Sequence, residues 1–203
     1  MSGAKKWLQD NVSRETFENL EKYENVLRKW QKSINLVAKS TLDDIWGRHF
    51  QDSLQLLGSL NNVSRETVMV DLGSGAGFPG MVLSIAMDHP IHLIESDQRK
   101  CAFLRDVSRE TSATAQIHND RIENVAIQAN IITSRAFASI AKTLEISAHM
   151  LQENTIYCLL KPQDIDKELT EATKYWYFDA HSQPSVSDPR GCILQLKNVK
   201  QKA

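Results

Sequence analysis

Three glycines at alternate positions, with a carboxylate two residues ahead of them, are the first residues here whose spacing suggests chemistry. Asp71-x-Gly73-x-Gly75-x-Gly77 follows Val68 to Leu72, a β-branched and apolar run that reads as a buried strand. Glycine serves where a turn needs positive φ, or where a ligand lies directly on the backbone. Pro79 has no amide proton to leave unpaired, which suits the start of a helix over Met81 to Met87. Strand, glycine turn and helix together open a nucleotide-binding βαβ unit.

That loop fits two ligands. Gly75-Ala-Gly77-Phe-Pro-Gly80 matches the dinucleotide fingerprint, and Asp71 through Gly77 matches the loop of S-adenosylmethionine-dependent methyltransferases. Charge separates the two. A dinucleotide brings an anionic pyrophosphate, which Asp71 would oppose. S-adenosylmethionine brings a sulfonium and an ammonium, which a nearby carboxylate stabilises. The methyltransferase reading is therefore preferred to an NAD-dependent oxidoreductase. A second strand, Ile91 to Glu95, ends in an acid about twenty residues past the loop, where a carboxylate bonds an adenosine's ribose.

A second cluster lies upstream. Arg48-His49-Phe50-Gln51-Asp52-Ser53-Leu54 opens a helix expected to run to about Leu60. Within it His49, Asp52 and Ser53 share one turn and can point at one place. Two readings stand open for them: a polar network fixing helix to sheet, or a cluster aimed at a substrate.

The elements that must position these groups follow from periodicity. Phe17, Leu20, Tyr23, Leu27, Trp30 and Ile34 recur at spacings of three and four, one apolar stripe of a docking helix. Thr41 is placed to cap a short helix reaching Trp46. Beyond the second strand, Gln98 to Val107 reads as an amphipathic helix and Ala113 to His118 as a strand. Asp120 to Glu123 is a polar turn where an adenine amino group can be read. Ile131 to Thr133 is a strand leading into Ser134-Arg135-Ala136-Phe137, at the edge where open α/β sheets bind ligands. Helices are expected over Ala141 to Leu151 and Ile165 to Thr173, with strand Ile156 to Leu160 between them, ending in Lys161-Pro162. Trp176 to Ala180 and Cys192 to Leu196 read as a closing antiparallel pair. The loop His181 to Gly191 reads as the least structured segment.

Composition narrows the class. A chain of 203 residues holds one domain with an extension, and 41% hydrophobic with 24% charged residues is ordinary for a globular protein. The net charge of −1 does not announce a nucleic-acid binder, although residues 1–50 carry nine basic against seven acidic groups. No apolar run approaches a membrane span and no signal peptide is evident, so a cytoplasmic protein with no membrane partner is expected. Cys101, Cys158 and Cys192 are isolated and odd in number, and the histidines do not cluster; neither a disulfide frame nor a metal is expected. Val-Ser-Arg-Glu-Thr occurs at Val12, Val63 and Val107, at offsets of 51 and 44 and in differing contexts, so it is not a structural repeat.

From about Leu27 onward the chain resembles the glucose-inhibited division protein B family, bacterial guanine-N7 methyltransferases of small-subunit ribosomal RNA. The resemblance rests on Trp30 through Leu36, on Arg48-His49-x-x-Asp52-Ser53-Leu54, and on Asp71 through Gly80. Arg121-Ile122-Glu123 and Ser134-Arg135-Ala136-Phe137 complete it. It implies an α/β, Rossmann-like class I methyltransferase fold: a mostly parallel seven-stranded sheet with an antiparallel edge, behind an N-terminal helical extension. Residues 1–60 would be the extension and 61–203 the cofactor-binding domain. By the resemblance Gly73, Phe78, Ile122, Glu123 and Arg135 match cofactor positions, with Asp71, Gly75 and Gly77 in the loop and Glu95 on the ribose. His49, Asp52, Ser53 and Lys161 would surround the target base. The implied partner is small-subunit ribosomal RNA or its particle, met by a monomer. Two departures stand out: Pro162 follows Lys161 where glycine is usual, and Asn130 replaces a common acid.

Guanine N7 has a free lone pair and no proton, so its methylation needs orientation rather than a general base. The chain has neither an Asn/Asp-Pro-Pro-Tyr motif, used on exocyclic amines, nor the Pro-Cys dipeptide of cytosine C5 methylation. A methyltransferase acting on another substrate and a non-catalytic RNA- or ribosome-binding module remain as rivals.

Overall fold

The structure is a computed structural model and describes residues 3–60 and 63–202. Helices α1 (Gly3–Asn11) and α2 (Arg14–Trp30) lead the chain. Ser13 caps α2, its Oγ accepting the Thr16 amide at 3.0 Å, and Phe17, Leu20, Tyr23 and Leu27 are buried along one stripe. Trp30 ends the helix and Ile34 lies beyond it, yet the indole still donates to Asp106 Oδ2 at 2.9 Å.

An irregular helical stretch follows. It comprises a 3-10 segment Lys39–Asp44, a π turn Trp46–Gln51, the short α3 (Asp52–Leu54) and a 3-10 segment Gln55–Ser59. The regular helix expected from Arg48 is thus wound wide at its start, which re-aims its side chains. Thr41 caps nothing: it sits inside the 3-10 segment.

The strands are β1 (Met69–Leu72), β2 (Ile91–Ile94), β3 (Gln116–His118), β4 (Ala129–Arg135), β5 (Leu151–Pro162), β6 (Trp176–Pro184) and β7 (Gly191–Gln201). They form one sheet in the order β3-β2-β1-β4-β5-β7-β6, parallel except for β7, which runs antiparallel to both β5 and β6. Helices α4 (Gly80–Met87), α5 (Gln98–Thr111), α6 (Ile140–Ser147) and α7 (Asp166–Ala172) cover its faces. Sequence order reverses between β1 and β4, so their carboxyl ends diverge into the crevice where such sheets bind ligands.

Alternation along the strands divides the core. Met69, Leu93, Ile131 and Cys158 face one cluster, and Val70, Ile94, Ile132 and Tyr157 the other. The first cluster also holds Leu8, Leu20, Tyr23 and Leu27, so the N-terminal helices share the core of the sheet. The three Val-Ser-Arg-Glu-Thr copies fall in a helix cap, a turn closed by Thr67 N–H on Ser64 O at 3.0 Å, and the end of α5.

Several elements outrun their sequence signals. α5 continues to Thr111, the helix expected through Leu151 gives way after Ser147, and β5 begins at Leu151. β6 reaches Pro184, which shrinks the expected loop to residues 185–190. That loop is ordered by Gln55, whose Nε2 reaches Ser185 Oγ at 3.0 Å and whose Oε1 accepts the Val186 amide at 2.9 Å. Asn130 does the work of an acceptor, its Oδ1 taking the Val68 amide at 2.8 Å.

The glycine loop is held from behind by α2. Tyr23 is fully buried, and its hydroxyl donates to the Ala76 carbonyl within the loop. Gly77 has φ +83°, and a Cβ there would strike that hydroxyl and come within 2.8 Å of Met81 Cβ. Tyr23→Phe is expected to strand the Ala76 carbonyl and lower stability by about 1–3 kcal/mol in urea unfolding, with the fold retained.

Candidate active site

Two cavities open at the carboxyl edge of the sheet and share Ala136 in their linings, a residue with a left-handed φ of +49° just past β4. The smaller, about 410 Å³, is lined by Gly73, Glu95, Ile122 and Glu123, as the sequence predicts for a cofactor site. Glu95 organises it. One carboxylate oxygen accepts the Gly75 amide at 2.9 Å and the other the Asp97 amide at 2.8 Å. Gly73 has φ +61°, and a Cβ there would come within 2.9 Å of the Phe137 ring, so the loop is closed to side chains.

Asp71 lies beneath this loop, wholly buried. Its Oδ1 accepts the Thr133 hydroxyl at 2.8 Å, while Oδ2 has no hydrogen-bond partner among the described residues. Burial pushes its carboxyl up to about 6, partly offset by the Thr133 hydrogen bond and by the nearby Ser74 hydroxyl and Gly80 amide. A carboxylate with an unpaired oxygen favours a cation above it.

Two residues expected at the cofactor are placed elsewhere. Phe78 is buried, its ring stacked between Tyr23 (5.5 Å, 7°) and His49 (4.8 Å, 17°), and it does not line the cofactor cavity. Arg135 turns into the other cavity, with its guanidinium 4.9 Å from the Phe78 ring centroid. Gly75 and Gly77 shape the loop through positive φ without lining the cavity.

The larger cavity, about 610 Å³, gathers His49, Asp52, Arg135 and Lys161. Arg135 Nη2 donates to His49 Nδ1 at 2.8 Å, and Nη1 reaches Asp52 Oδ2 at 3.2 Å and the Arg48 carbonyl at 3.0 Å. With Nδ1 accepting, the imidazole proton sits on Nε2 and is donated to Thr41 Oγ1 at 2.8 Å. Thr41 passes its own proton to the Ala38 carbonyl at 2.7 Å. Burial first, then Arg135 and Arg48, hold the imidazole down at about 3. His49 is neutral, and its one lone pair is already taken.

The other members are equally committed. Asp52 Oδ1 accepts from Ser187 at 2.6 Å and Gln55 at 2.8 Å. Lys161 Nζ is engaged by Glu168 at 2.6 Å and the Ala138 carbonyl at 2.7 Å. Ser53 does not join them: the π turn points it inward, and its Oγ donates to the His49 carbonyl at 2.7 Å. The sequence reading missed Thr41, Ser187 and Asp188, which pairs with Arg48 at 2.7 Å. Ser187 meets Asp52 across 135 positions and Asp188 meets Arg48 from the same distant loop, where the serine and aspartate density at Ser185 to Asp188 hints at an ordered turn; Thr41 meets His49 eight residues on.

Sheet order, glycine loop and paired cavities define a Rossmann-like, S-adenosylmethionine-dependent methyltransferase. Among solved structures, a MtNAS variant crystallised with S-adenosylmethionine shares the fold at TM-score 0.60 and 13% identity, covering 88% of this chain and 71% of that one. An RNA methyltransferase from Salinibacter ruber with S-adenosylhomocysteine aligns at TM-score 0.56 and 17% identity, covering 71% and 88%. Residues 16–192 match the family described as rRNA small subunit methyltransferase G, and the chain belongs to that family. Ribosomal RNA small subunit methyltransferase G of Rhodospirillum centenum is 47% identical over 93% of this chain and 87% of its own length. The protein of that name from Rickettsia akari is 42% identical over 93% and 97%. Among the described residues no cluster of metal-ligating side chains is found, and no helix is long and apolar enough to cross a membrane.

The His49 imidazole is expected not to titrate between about pH 8 and 5 when followed by NMR. Because its folded value lies below the unfolded one, its contribution to stability is present above about pH 6.5 and fades as pH falls toward 3. Arg135→Gln removes a cation from the ring and is expected to move the titration up.

Proposed function

We propose that this chain transfers the methyl group of S-adenosylmethionine to N7 of a guanine in small-subunit ribosomal RNA. The observation that carries the reading is at Ala136, which lines both the cofactor cavity and a second cavity whose histidine has its one free lone pair held by Arg135. N7 alkylation asks for that arrangement, because the attacking lone pair is free and no proton leaves with the methyl. The relatives, named as methyltransferases of small-subunit ribosomal RNA, point to the class of substrate.

The residues fit the cofactor. Gly75 leaves its face open, with a Cβ there meeting only the Gly73 carbonyl at 3.7 Å. Glu95 keeps lone pairs for ribose hydroxyls while it holds the loop, and Ile122 and Glu123 line the adenine end. When bound, S-adenosylmethionine supplies a methyl group made electrophilic by its sulfonium. Asp71 supplies negative charge beneath, the Arg135 cluster fixes the wall of the base cavity, and Lys161 steadies its far side. Residues 1–60 and 61–203 act as one unit in this reading, because α2 braces the loop through Tyr23. The protein works as a cytoplasmic monomer.

Small-subunit particles and naked RNA from cells lacking the gene, incubated with the protein and methyl-labelled cofactor, are expected to carry label in N7-methylguanosine after digestion. Arg135→Ala is expected to cut kcat/KM by about a hundredfold, the scale of a lost positioning contact. Label in any other nucleoside, or none, contradicts the assignment.

A further inference from the structure

A third cavity, of about 310 Å³, lies between residues 31–35, where the chain leaves α2, and residues 97–100 at the start of α5. Its lining carries three cations, Lys32, Arg99 and Lys100, against one carboxylate, Asp97. That carboxylate is committed. Asp97 Oδ1 accepts the Arg99 and Lys100 amides at 2.8 and 3.4 Å, and Oδ2 pairs with the Arg99 guanidinium at 3.3 Å. Lys32 is exposed and Lys100 half-buried, and neither ammonium has a hydrogen bond or ion pair among the described residues. The hydroxyl of Ser33 and the amide of Asn35 are also without side-chain partners there. A hollow with free ammonium, hydroxyl and amide donors and a surplus of positive charge selects an anion.

Position says which anion. Lys100 lines the cofactor cavity as well as this one, so a ligand here would sit beside the bound cofactor. Asn35 also borders a hollow over Asn35–Lys39, and Leu36, Val37 and Ala38 carry that hollow into the larger cavity around Arg135. Residues 31–39 thus border, in succession, the cationic hollow, this second hollow and the base cavity. Nucleic acid is gripped by its phosphates while bases enter pockets.

We propose that the hollow formed by Lys32, Ser33, Asn35 and Lys100 is a phosphodiester subsite seating the RNA backbone beside the cofactor cavity. The RNA as occupant rests on the proposed ribosomal substrate; the anion site itself does not. Lys32 belongs to the N-terminal extension and Lys100 to the cofactor domain, so a phosphate held by both clamps the two parts together.

The test measures binding and methylation of small-subunit RNA across a salt series with wild type, Lys32→Ala, Lys100→Ala and Lys32→Arg. Each alanine variant is expected to weaken RNA binding and raise KM by about three- to tenfold. Each should also reduce the slope of log affinity against log salt by about one, and Lys32→Ala, at a residue that does not line the cofactor cavity, should keep kcat within twofold. Lys32→Arg should restore the slope, and Lys32→Ala should leave cofactor affinity unchanged. An unchanged slope and KM in both alanine variants, with wild type methylating RNA, overturns the subsite and leaves the function standing. Loss of RNA affinity in the variants, with no methyl transfer by wild type, keeps the subsite and overturns the function. Competition by inorganic phosphate alone, with RNA binding insensitive to both lysines, shows a free-anion site and overturns the RNA assignment.

Discussion

A guanidinium taken out of water must have its donors and its charge matched, or the fold loses several kcal/mol. Arg135 meets that demand with groups from another part of the chain: His49, Asp52 and the Arg48 carbonyl, with Phe78 beneath its face. The irregular helix is thereby fastened to the carboxyl end of β4, where the sheet opens. Much else follows. The π turn at Trp46–Gln51 delivers His49 and Asp52 to one cation, and Ser187 reaches across to bind Asp52 from the loop between β6 and β7. Three remote segments thus share one electrostatic knot, and the cavity they enclose owes its shape to it.

The same knot bears on the chemistry. A histidine beside an aspartate and a serine invites a proton-relay reading, but here the relay runs outward and ends. Arg135 donates to His49, His49 to Thr41, and Thr41 to a carbonyl, so the imidazole has no lone pair left for a substrate proton. What the site offers is fixed position: a walled cavity around Arg135, a glycine loop braced by Glu95 in front and Tyr23 behind, and a buried carboxylate at the foot of that loop. Such preorganisation suits a nucleophile that is already competent and only needs aligning.

Much of this was legible in the sequence because its signals are local. The glycines at 73, 75 and 77 demand positive φ, the acid at 95 ends a short strand, and the α2 stripe recurs at helical spacing. All of these depend on neighbours within a few residues. The parts that misled depend on distant ones. Arg135 meets Asp52 across 83 positions and Ser187 meets Asp52 across 135, so no window of sequence shows either pair. Phe78 belongs to the glycine loop by spacing, yet its ring turns back into an aromatic stack whose members come from the N-terminal helices. Ser53 follows Asp52 in the motif, but neighbours on a helix point about 100° apart, and its hydroxyl turns back to the His49 carbonyl instead of the cavity. His181 to Gly191 read as the least structured segment for the same reason. β7 pairs with both β5 and β6 over long registers that composition alone does not announce.

The claim most exposed to test is that orientation alone carries the reaction and no side chain moves a proton. Single-turnover methyl transfer, followed against pH with saturating cofactor and RNA, addresses it directly. The account predicts a rate constant that is flat from about pH 7 to 9. It also predicts the same flat profile for His49→Gln, which can still accept from Arg135 and donate to Thr41. A rising limb near neutral pH in the wild type that vanishes in His49→Gln would show a titrating base at work and contradict it.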